Sequence, residues 1–341
     1  MKAAPSPSIA EAARASPISD PATAVHSNYV PAQTEKHLEF LDFNSSGDLI
    51  VGASNLTTRY WSGSLWYYRK GVVEEDITNP EMCLTGVDLQ TGVLDGRFVQ
   101  DKQMVLGLDS GGVVMVSLTR EQDGDRVTHY LEQQTAVVEH EDILTGLDLW
   151  EMDGSVATVG ADQRLNIFSP SLALVHTFHP AHARFISSVA CSSMPHILAT
   201  ASREGVVRVW DTRQTRPART VYRSETRPPS CITWSGEQEI VVGSSTGDLI
   251  VLDTRGKGKE NLFQDQIFDR EISRFRWSPD RSRLAVAEDD VKVGVVRVKE
   301  GQVVVEMVDT RHTDYVRGLA WSGSDTLWSA GWDHKVVKHD L

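Results

Sequence analysis

Ser245 is the residue of this sequence whose surroundings most resemble those of a catalytic nucleophile. It lies in the segment from Gly243 to Gly247, which fits the pattern G-x-S-x-G. In hydrolases with this motif the serine occupies a sharp turn between a strand and a helix. Here a second strand-like segment, residues 248–253, follows at once, which favours a β-turn between two strands. We therefore predict no catalytic residue in the chain, and a hydrolase is the less favoured alternative.

Three histidines have a spacing that a metal ion could use. His176, His179 and His182 recur at every third position, with Pro180 between them. They span the end of a strand and the loop after it, so their rings are expected to point in different directions. No metal site is predicted from them, and no cofactor is expected.

Charged clusters offer two further kinds of site. The acidic runs 74–76 and 288–290 bring carboxylates together, but nothing nearby in sequence separates their pKa values, so solvated loop charges are the favoured interpretation. Seven arginines lie between Arg203 and Arg227. An RNA-binding edge is one interpretation, although few aromatic residues are interleaved for base stacking. A solvated edge or a protein contact is favoured over nucleic acid.

Residues 55–64 contain the residue types that dominate protein interfaces. Arg59, Tyr60 and Trp61 stand together, shortly after Leu56, where a short polar turn is expected. Trp, Tyr and Arg are enriched in interface hot spots, so this longer excursion could anchor a partner. Alternatively, Trp61 folds back into the core. The residue types alone leave both interpretations open.

The elements that position these residues are predicted to be β-strands arranged in a repeat. From His37 onward, short apolar runs are separated by Gly, Asp, Ser and Asn. Strand ends recur at positions 43, 89, 149, 191, 234, 277 and 321, with separations of 46, 60, 42, 43, 43 and 44 residues. A period near 43 residues with about four strands is typical of a β-propeller blade. The chain is therefore predicted to be an all-β, seven-bladed propeller with an insertion in the second unit.

Several units share a histidine and an acidic turn residue. Residues 197–211 run strand, turn, strand and end on Trp210 and Asp211, the dipeptide that names the WD repeat. Glu204 lies six positions before Trp210, and other units repeat this spacing. Such a carboxylate can accept hydrogen bonds from its turn and from the loop that holds the histidine, so the motif is predicted to be structural. The predicted structural positions are His140, Asp162, His182, Glu204, Trp210, Asp211, His312 and Asp333.

The last unit lacks one strand. It supplies three strand-like segments after residue 315, whereas a blade needs four. We expect the missing outer strand to come from the N-terminal region, around residues 25–31 or just beyond, so that no sheet edge is left open. Residues 1–24, rich in Ala, Ser and Pro, are predicted to be a disordered tail, and residues 25–341 the propeller.

Composition narrows the class of partner. The chain has 34 Lys and Arg against 47 Asp and Glu, a net charge of −13, which argues against general binding to nucleic acid or anionic membranes. No apolar run approaches the 18 residues of a membrane span. Its three cysteines form no CxxC pair, so reduced thiols are expected. Such a charge favours encounter with Arg- and Lys-rich polypeptides.

Three segments carry a close resemblance to a known family. Residues 50–66, 312–317 and 331–339 resemble the methylosome WD-repeat subunit, the propeller cofactor of the type II (symmetric) protein arginine methyltransferase. The resemblance spans residues 37–341. It implies that the loop of the first blade inserts an aromatic anchor into the methyltransferase. That anchor is Trp61 here, with Leu56, Arg59 and Tyr60 beside it.

The resemblance also implies a function. The family forms a hetero-octamer of four catalytic and four propeller subunits, in cytoplasm and nucleus, which methylates Sm proteins and histones. We expect a non-catalytic scaffold that presents Arg-rich substrates, while the catalytic partner binds S-adenosylmethionine. A WD-repeat module that binds peptides or histones in another complex is the alternative. A propeller hydrolase is the alternative from another class.

Overall fold

The computed structural model describes residues 36–56, 61–71, 82–214, 219–255, 261–299 and 302–341. Within these ranges the regular structure is 27 β-strands, without any α-helix. The strands form seven sheets, each a blade. None of the described residues belongs to a helix able to cross a membrane. The prediction of an all-β, seven-bladed propeller is confirmed.

The strands run in chain order from the innermost to the outermost position of each blade. Blades one and two contain β1 His37–Phe43, β2 Leu49–Leu56, β3 Trp61–Tyr68, β4 Thr85–Leu89, β5 Val93–Gln100, β6 Gln103–Leu108, β7 Gly112–Asp123 and β8 Arg126–Val138. Blades three and four contain β9 Leu144–Leu149, β10 Val156–Gly160, β11 Leu165–Phe168, β12 Leu174–Phe178, β13 Ile186–Cys191, β14 Ile197–Ser202, β15 Val206–Asp211 and β16 Arg219–Arg223. Blades five to seven contain β17 Pro229–Trp234, β18 Glu239–Ser244, β19 Asp248–Asp253, β20 Asn261–Gln266, β21 Ile272–Trp277, β22 Leu284–Glu288, β23 Val293–Lys299, β24 Gln302–Asp309, β25 Val316–Trp321, β26 Thr326–Gly331 and β27 Val336–Asp340.

The innermost strands close into a ring. Each of them contacts the innermost strands of both neighbouring blades, and β1 lies between β25 and β5. Seven buried apolar clusters fill the seven blade-to-blade contacts. The second strands are apolar on both faces because each face packs against a neighbouring blade; all five residues of β10 are buried.

Phe40 shows how tightly neighbouring blades pack. Its ring lies at the contact between blades one and two, and a Cβ atom on Gly52 would come within 2.0 Å of it. A Cβ on Gly96 of the next blade would come within 2.3 Å. Glycine at these two positions makes the space that the aromatic ring occupies, so the two blades interlock.

The structure corrects one position of the predicted repeat. Leu89 does not end the innermost strand of blade two; it ends β4, the outermost strand of blade one. The innermost strand of blade two is β5, which ends at Gln100. The extra length therefore falls in two blades: a long connection follows β3, and the hairpin of β7 and β8 has strands of 12 and 13 residues.

Blade seven has three strands in the described part of the chain, β25 to β27. They match the three segments expected after residue 315. The predicted closing strand, around residues 25–31, lies outside the described residues, as do the predicted tail and the domain boundary at residue 25. Within the described residues, β27 pairs only with β26, so its outer edge can accept another strand.

Truncation tests the closing strand. Deletion of residues 1–20 is expected to leave the melting temperature nearly unchanged, whereas deletion of residues 1–31 should destabilise the propeller by a few kcal/mol. The reason is that the longer deletion removes apolar area, worth about 25 cal/mol per Å², together with the pairing of β27. Thermal unfolding of both truncations is the measurement, and equal melting temperatures would rule out closure by this segment.

Candidate functional site

The turns between second and third strands all lie at the same end of their blades, and we name this end the turn face. In blade one, Leu56 pairs with Trp61 at the turn end of the β2–β3 hairpin. The expected excursion over residues 55–64 is therefore shorter than predicted, because Asn55 pairs with Ser62 and the strands continue to Leu56 and Trp61. Arg59 and Tyr60 lie outside the described residues, as do the side chains of Leu56 and Trp61.

Blade four contains a continuous chain of buried hydrogen bonds. The indole N–H of Trp210 donates to Oγ1 of Thr200 at 2.8 Å, and Nε2 of His182 lies 2.6 Å from the same hydroxyl. Nδ1 of His182 lies 2.6 Å from Oε1 of Glu204 in the turn. The chain joins the loop before the blade to two strands and a turn. Asp211 continues the strand and forms an ion pair with Arg213 instead.

Blades three and seven contain related chains. Nδ1 of His140 lies 3.0 Å from Asp162, and Nε2 lies 2.8 Å from the hydroxyl of Thr158. In blade seven the corresponding residues are His312, Asp333 and Ser329, with distances of 3.0 and 2.8 Å, and His339 takes the position of the tryptophan. The carboxylates of Asp162 and Asp333 also accept the backbone N–H of the residue after each histidine.

Electrostatics fix the protonation of the blade-four chain. Burial lowers the pKa of His182 to about 4, so the ring is neutral at neutral pH. Burial alone would raise the pKa of Glu204, but the hydrogen bond from His182 and the charge of Arg208 lower it below its usual range. A neutral histidine that donates from Nδ1 accepts the Thr200 hydroxyl proton at Nε2, so every polar atom of the chain is satisfied.

These chains have the connectivity of a hydroxyl–histidine–carboxylate triad but not its accessibility. The three hydroxyl residues, Thr158, Thr200 and Ser329, are each 0% exposed, so a substrate carbonyl cannot reach them. Ser245 lies in the turn between β18 and β19, and its backbone N–H donates to the Pro228 carbonyl. It therefore lies between two strands, without the helix of a nucleophile elbow.

The histidine triplet is divided between different environments. His182 belongs to the blade-four chain, whereas His176 stacks edge-on against Phe178 with ring centroids 4.2 Å apart. Across the described parts of the chain, no three His, Cys, Asp or Glu side chains lie close enough together to hold a metal ion.

The arginine-rich segment forms several ion pairs. Arg203 pairs with Glu271, Arg208 with Glu204, Arg213 with Asp211 and Arg227 with Asp248. The expectation of solvated charge in residues 288–290 is wrong for Glu288, which is fully buried beside Lys292 at the end of β22. Residues 74–76 lie outside the described ranges.

The centre of the ring holds a cavity of about 500 Å³ lined by the innermost strands. Ion pairs cross it between blades. Arg274 of blade six donates to Asp95 of blade two at 2.7 Å and to the Leu94 carbonyl at 2.9 Å. Arg97 pairs with Asp148 at 2.9 Å. Charged side chains therefore connect neighbouring blades and, through Arg274 and Asp95, blades on opposite sides of the ring. We name this space the axial cavity.

Glu39 lines the axial cavity at the junction of blades seven and one. It is 5% exposed, and burial raises its pKa to about 7, although the side chains of Trp332, Arg317 and Arg274 oppose the rise. The buried indole N–H of Trp332 lies close enough to the Glu39 carboxyl to lower its pKa, although the two groups do not form a hydrogen bond of good geometry. A buried carboxyl with a raised pKa in a cavity is a candidate binding group.

Sequence reasoning did not identify Glu39. The available signal was its position four residues before the strand end at Phe43, where other repeats carry Thr145, Ser187, Ser230 or Ser273.

Replacement of Glu39 by glutamine should stabilise the protein at alkaline pH. The pKa of the carboxyl is about 7 in the folded chain against 4.5 for the free group, so folded-state stability falls as pH rises through that interval. The neutral amide avoids this cost. We expect E39Q to be more stable than the parent by roughly 1–3 kcal/mol at pH 8, with the difference vanishing near pH 4. Denaturant unfolding at both pH values tests this, and a less stable variant at pH 8 would contradict it.

The closed ring of seven blades and the buried histidine–carboxylate chains define a WD-repeat β-propeller. The family model "WD domain, G-beta repeat" matches residues 172–211, which include the chain of blade four. Two solved structures share the fold. "COPII on membranes, outer coat vertex" has a TM-score of 0.73 and 13% identity, over 91% of this chain and 85% of the other. "The structure of the COPII coat assembled on membranes" has the same score and identity, over 91% and 47%.

The chain is also similar to a particular protein. It is 27% identical over 318 residues to the methylosome protein WDR77 of Xenopus laevis, and the alignment covers 91% of both chains. The resemblance to the methylosome WD-repeat subunit, drawn above from three segments, is thereby confirmed.

Proposed function

We propose that this chain is the non-catalytic scaffold subunit of a methylosome-like complex, which binds a type II protein arginine methyltransferase. The observation that carries the proposal is the similarity to a methylosome protein over 91% of both chains. A match of that extent includes the blade-one hairpin as well as the generic repeat.

The geometry supports a scaffold. Three of the repeat hydroxyls lie buried in hydrogen-bonded chains, and the hydroxyls of Thr145, Ser187, Ser230 and Ser273 on the innermost strands donate to backbone carbonyls. Thr145, Ser187 and Ser230 tie neighbouring blades together, and the other hydroxyls tie strands within a blade. The blade-one hairpin, by contrast, ends on the turn face, where a partner can approach it. We infer that Leu56, Arg59, Tyr60 and Trp61 form the docking hairpin.

The proposed substrates come from the resemblance to the methylosome WD-repeat subunit, and the charge of the chain agrees with them. A net charge of −13 favours the approach of Arg-rich polypeptides, and we propose Sm proteins and histone tails as the class presented. We further propose a hetero-octamer with four copies of each subunit, present in cytoplasm and nucleus.

Stimulation of methylation tests the function. The purified chain, added to a type II arginine methyltransferase and an Sm-type Arg–Gly peptide, should raise the rate of symmetric dimethylation, measured by mass spectrometry. The chain incubated with the peptide alone should transfer no methyl group. An unchanged rate at saturating propeller would contradict the proposal.

A further inference from the structure

Each innermost strand of the ring contains a β-bulge at the same place, and one residue of each bulge is left without a cross-strand partner. These seven residues are Glu39, Leu94, Thr145, Ser187, Ser230, Ser273 and Arg317. Bulges redirect a side chain out of the sheet pattern, and here the redirected side chains line the axial cavity or its wall.

At four of the seven positions the side chain is a small hydroxyl that ties strands together. Ser230 donates to the Gly243 carbonyl in its own blade at 3.0 Å and lies 2.6 Å from the Ile272 carbonyl in the next blade. Thr145 and Ser187 bridge to the next blade in the same manner. A short hydroxyl side chain at the bulge is therefore well placed to bond to the carbonyl groups around it.

Glu39 has no hydroxyl and does not form this hydrogen bond to the next blade. The hydroxyl of Ser54 supplies it in blade one, donating to the Val93 carbonyl at 2.9 Å and accepting from the Val93 N–H at 3.0 Å. The carboxyl of Glu39 has no ion-pair partner in the described part of the chain. The two cations near it are committed elsewhere: Arg274 to Asp95, and Arg317 to Asp289 at 3.0 Å.

The rim of the cavity beside Glu39 already holds one guanidinium group. The guanidinium carbon of Arg317 lies 5.2 Å from the ring centroid of Trp332 and 5.4 Å from that of Tyr315, and the two rings meet edge to face. Tyr315 is 39% exposed and Ile143, across the mouth, is 44% exposed. The rim thus offers aromatic and apolar surface to a chain lying over the opening.

We propose that the axial cavity receives an arginine side chain of a polypeptide, with its guanidinium group at Glu39. A guanidinium group matches a carboxylate with two parallel hydrogen bonds, so it fits Glu39 better than an ammonium group does. The arginines that line the cavity already form ion pairs with carboxylates, so they offer no free positive charge to an anion. The inference rests on the proposed function in one respect: it names the site where an Arg-rich substrate is held for the methyltransferase.

Calorimetric titration of the full chain with the peptide Ac-Gly-Arg-Gly-Arg-Gly-NH₂ at low salt tests the inference. We expect saturable binding to the parent and at least tenfold weaker binding to E39Q and to E39S, the latter carrying the residue type of the other blades. E141Q, which removes the same charge from an exposed position on the turn face, should bind within twofold of the parent. The citrulline analogue of the peptide should bind at least tenfold more weakly.

The controls decide between the outcomes. Thermal unfolding establishes that E39Q and E39S remain folded. Binding of the peptide by E39Q and E39S as tight as by the parent, or binding of the citrulline peptide by the parent as tight as of the arginine peptide, would overturn the proposal. Equal affinity for N-acetyl-arginine amide would overturn the polypeptide assignment and leave a small-guanidine site. No methyltransferase is present, so failure here leaves the proposed scaffold function standing, and loss of methyltransferase binding would leave this result unaffected.

Discussion

The Trp61→Ala variant is expected to fold normally and to bind the methyltransferase about 30-fold to several-hundred-fold more weakly. Loss of a central aromatic anchor costs roughly 2–4 kcal/mol of binding free energy, and each 1.4 kcal/mol is about tenfold in affinity. The backbones of Trp61 and Leu56 pair at the turn end of the blade-one hairpin, which is the proposed docking segment. Melting temperature and partner affinity, measured on the same preparation, test the prediction.

Strand β3 supplies its own control. Trp66, five residues further along, is 0% exposed and packs between blades one and seven, so W66A should lower the melting temperature through loss of core packing. Arg59→Ala should weaken binding less than W61A, because a rim guanidinium regains water when its partner is lost. A W61A protein that melts like W66A, with unchanged affinity per folded molecule, would remove Trp61 from the docking hairpin.

Replacement of Trp210 by alanine is expected to destabilise the propeller by about 3–5 kcal/mol, as large-to-small changes in a core do. Trp210 is 1% exposed, packs in the cluster between blades three and four, and donates to Thr200. Its removal leaves a cavity and takes one donor from the chain that ends at Glu204. Chemical denaturation monitored by circular dichroism measures the loss.

The neighbouring Asp211 gives a matched comparison within the same dipeptide. Its hydrogen bond with the side chain of Arg213 lowers its pKa to about 2, but Arg213 is 65% exposed, so solvent screens that ion pair. Asp211→Asn should therefore cost much less than W210A. Equal losses for the two variants would contradict the view that the packing and hydrogen bond of Trp210 carry most of the stability of the dipeptide.

The repeat could be predicted from sequence because it is local. A blade histidine, a hydroxyl and an acidic turn residue lie within 22 residues of one another, as His182 and Glu204 do, and so they recur at a fixed spacing. Blade two carries no such histidine, so the repeat does not fix the register there. The outer strand that ends at Leu89 has the same alternation of residues as an innermost strand, and the sequence alone does not tell the two apart.

The axial cavity could not be predicted, because its contacts are long-range. Arg274 and Asp95 are 179 positions apart and meet only because the ring brings blade six opposite blade two. Glu39 lies within the strand His37–Phe43, which also contains Asp42, so an acidic residue there gives no functional signal by itself. Glu39 stands out only when the strands are aligned by their β-bulges, because it then occupies the position that holds a hydroxyl residue in four other blades.

The direct test of the scaffold role is the mass of the complex formed by the purified chain and a type II arginine methyltransferase. Light scattering coupled to size-exclusion chromatography should show one species with four copies of each subunit, and W61A at the same concentrations should shift protein to the free subunits. Two separate peaks at micromolar concentration, with the parent chain folded, would contradict the assignment.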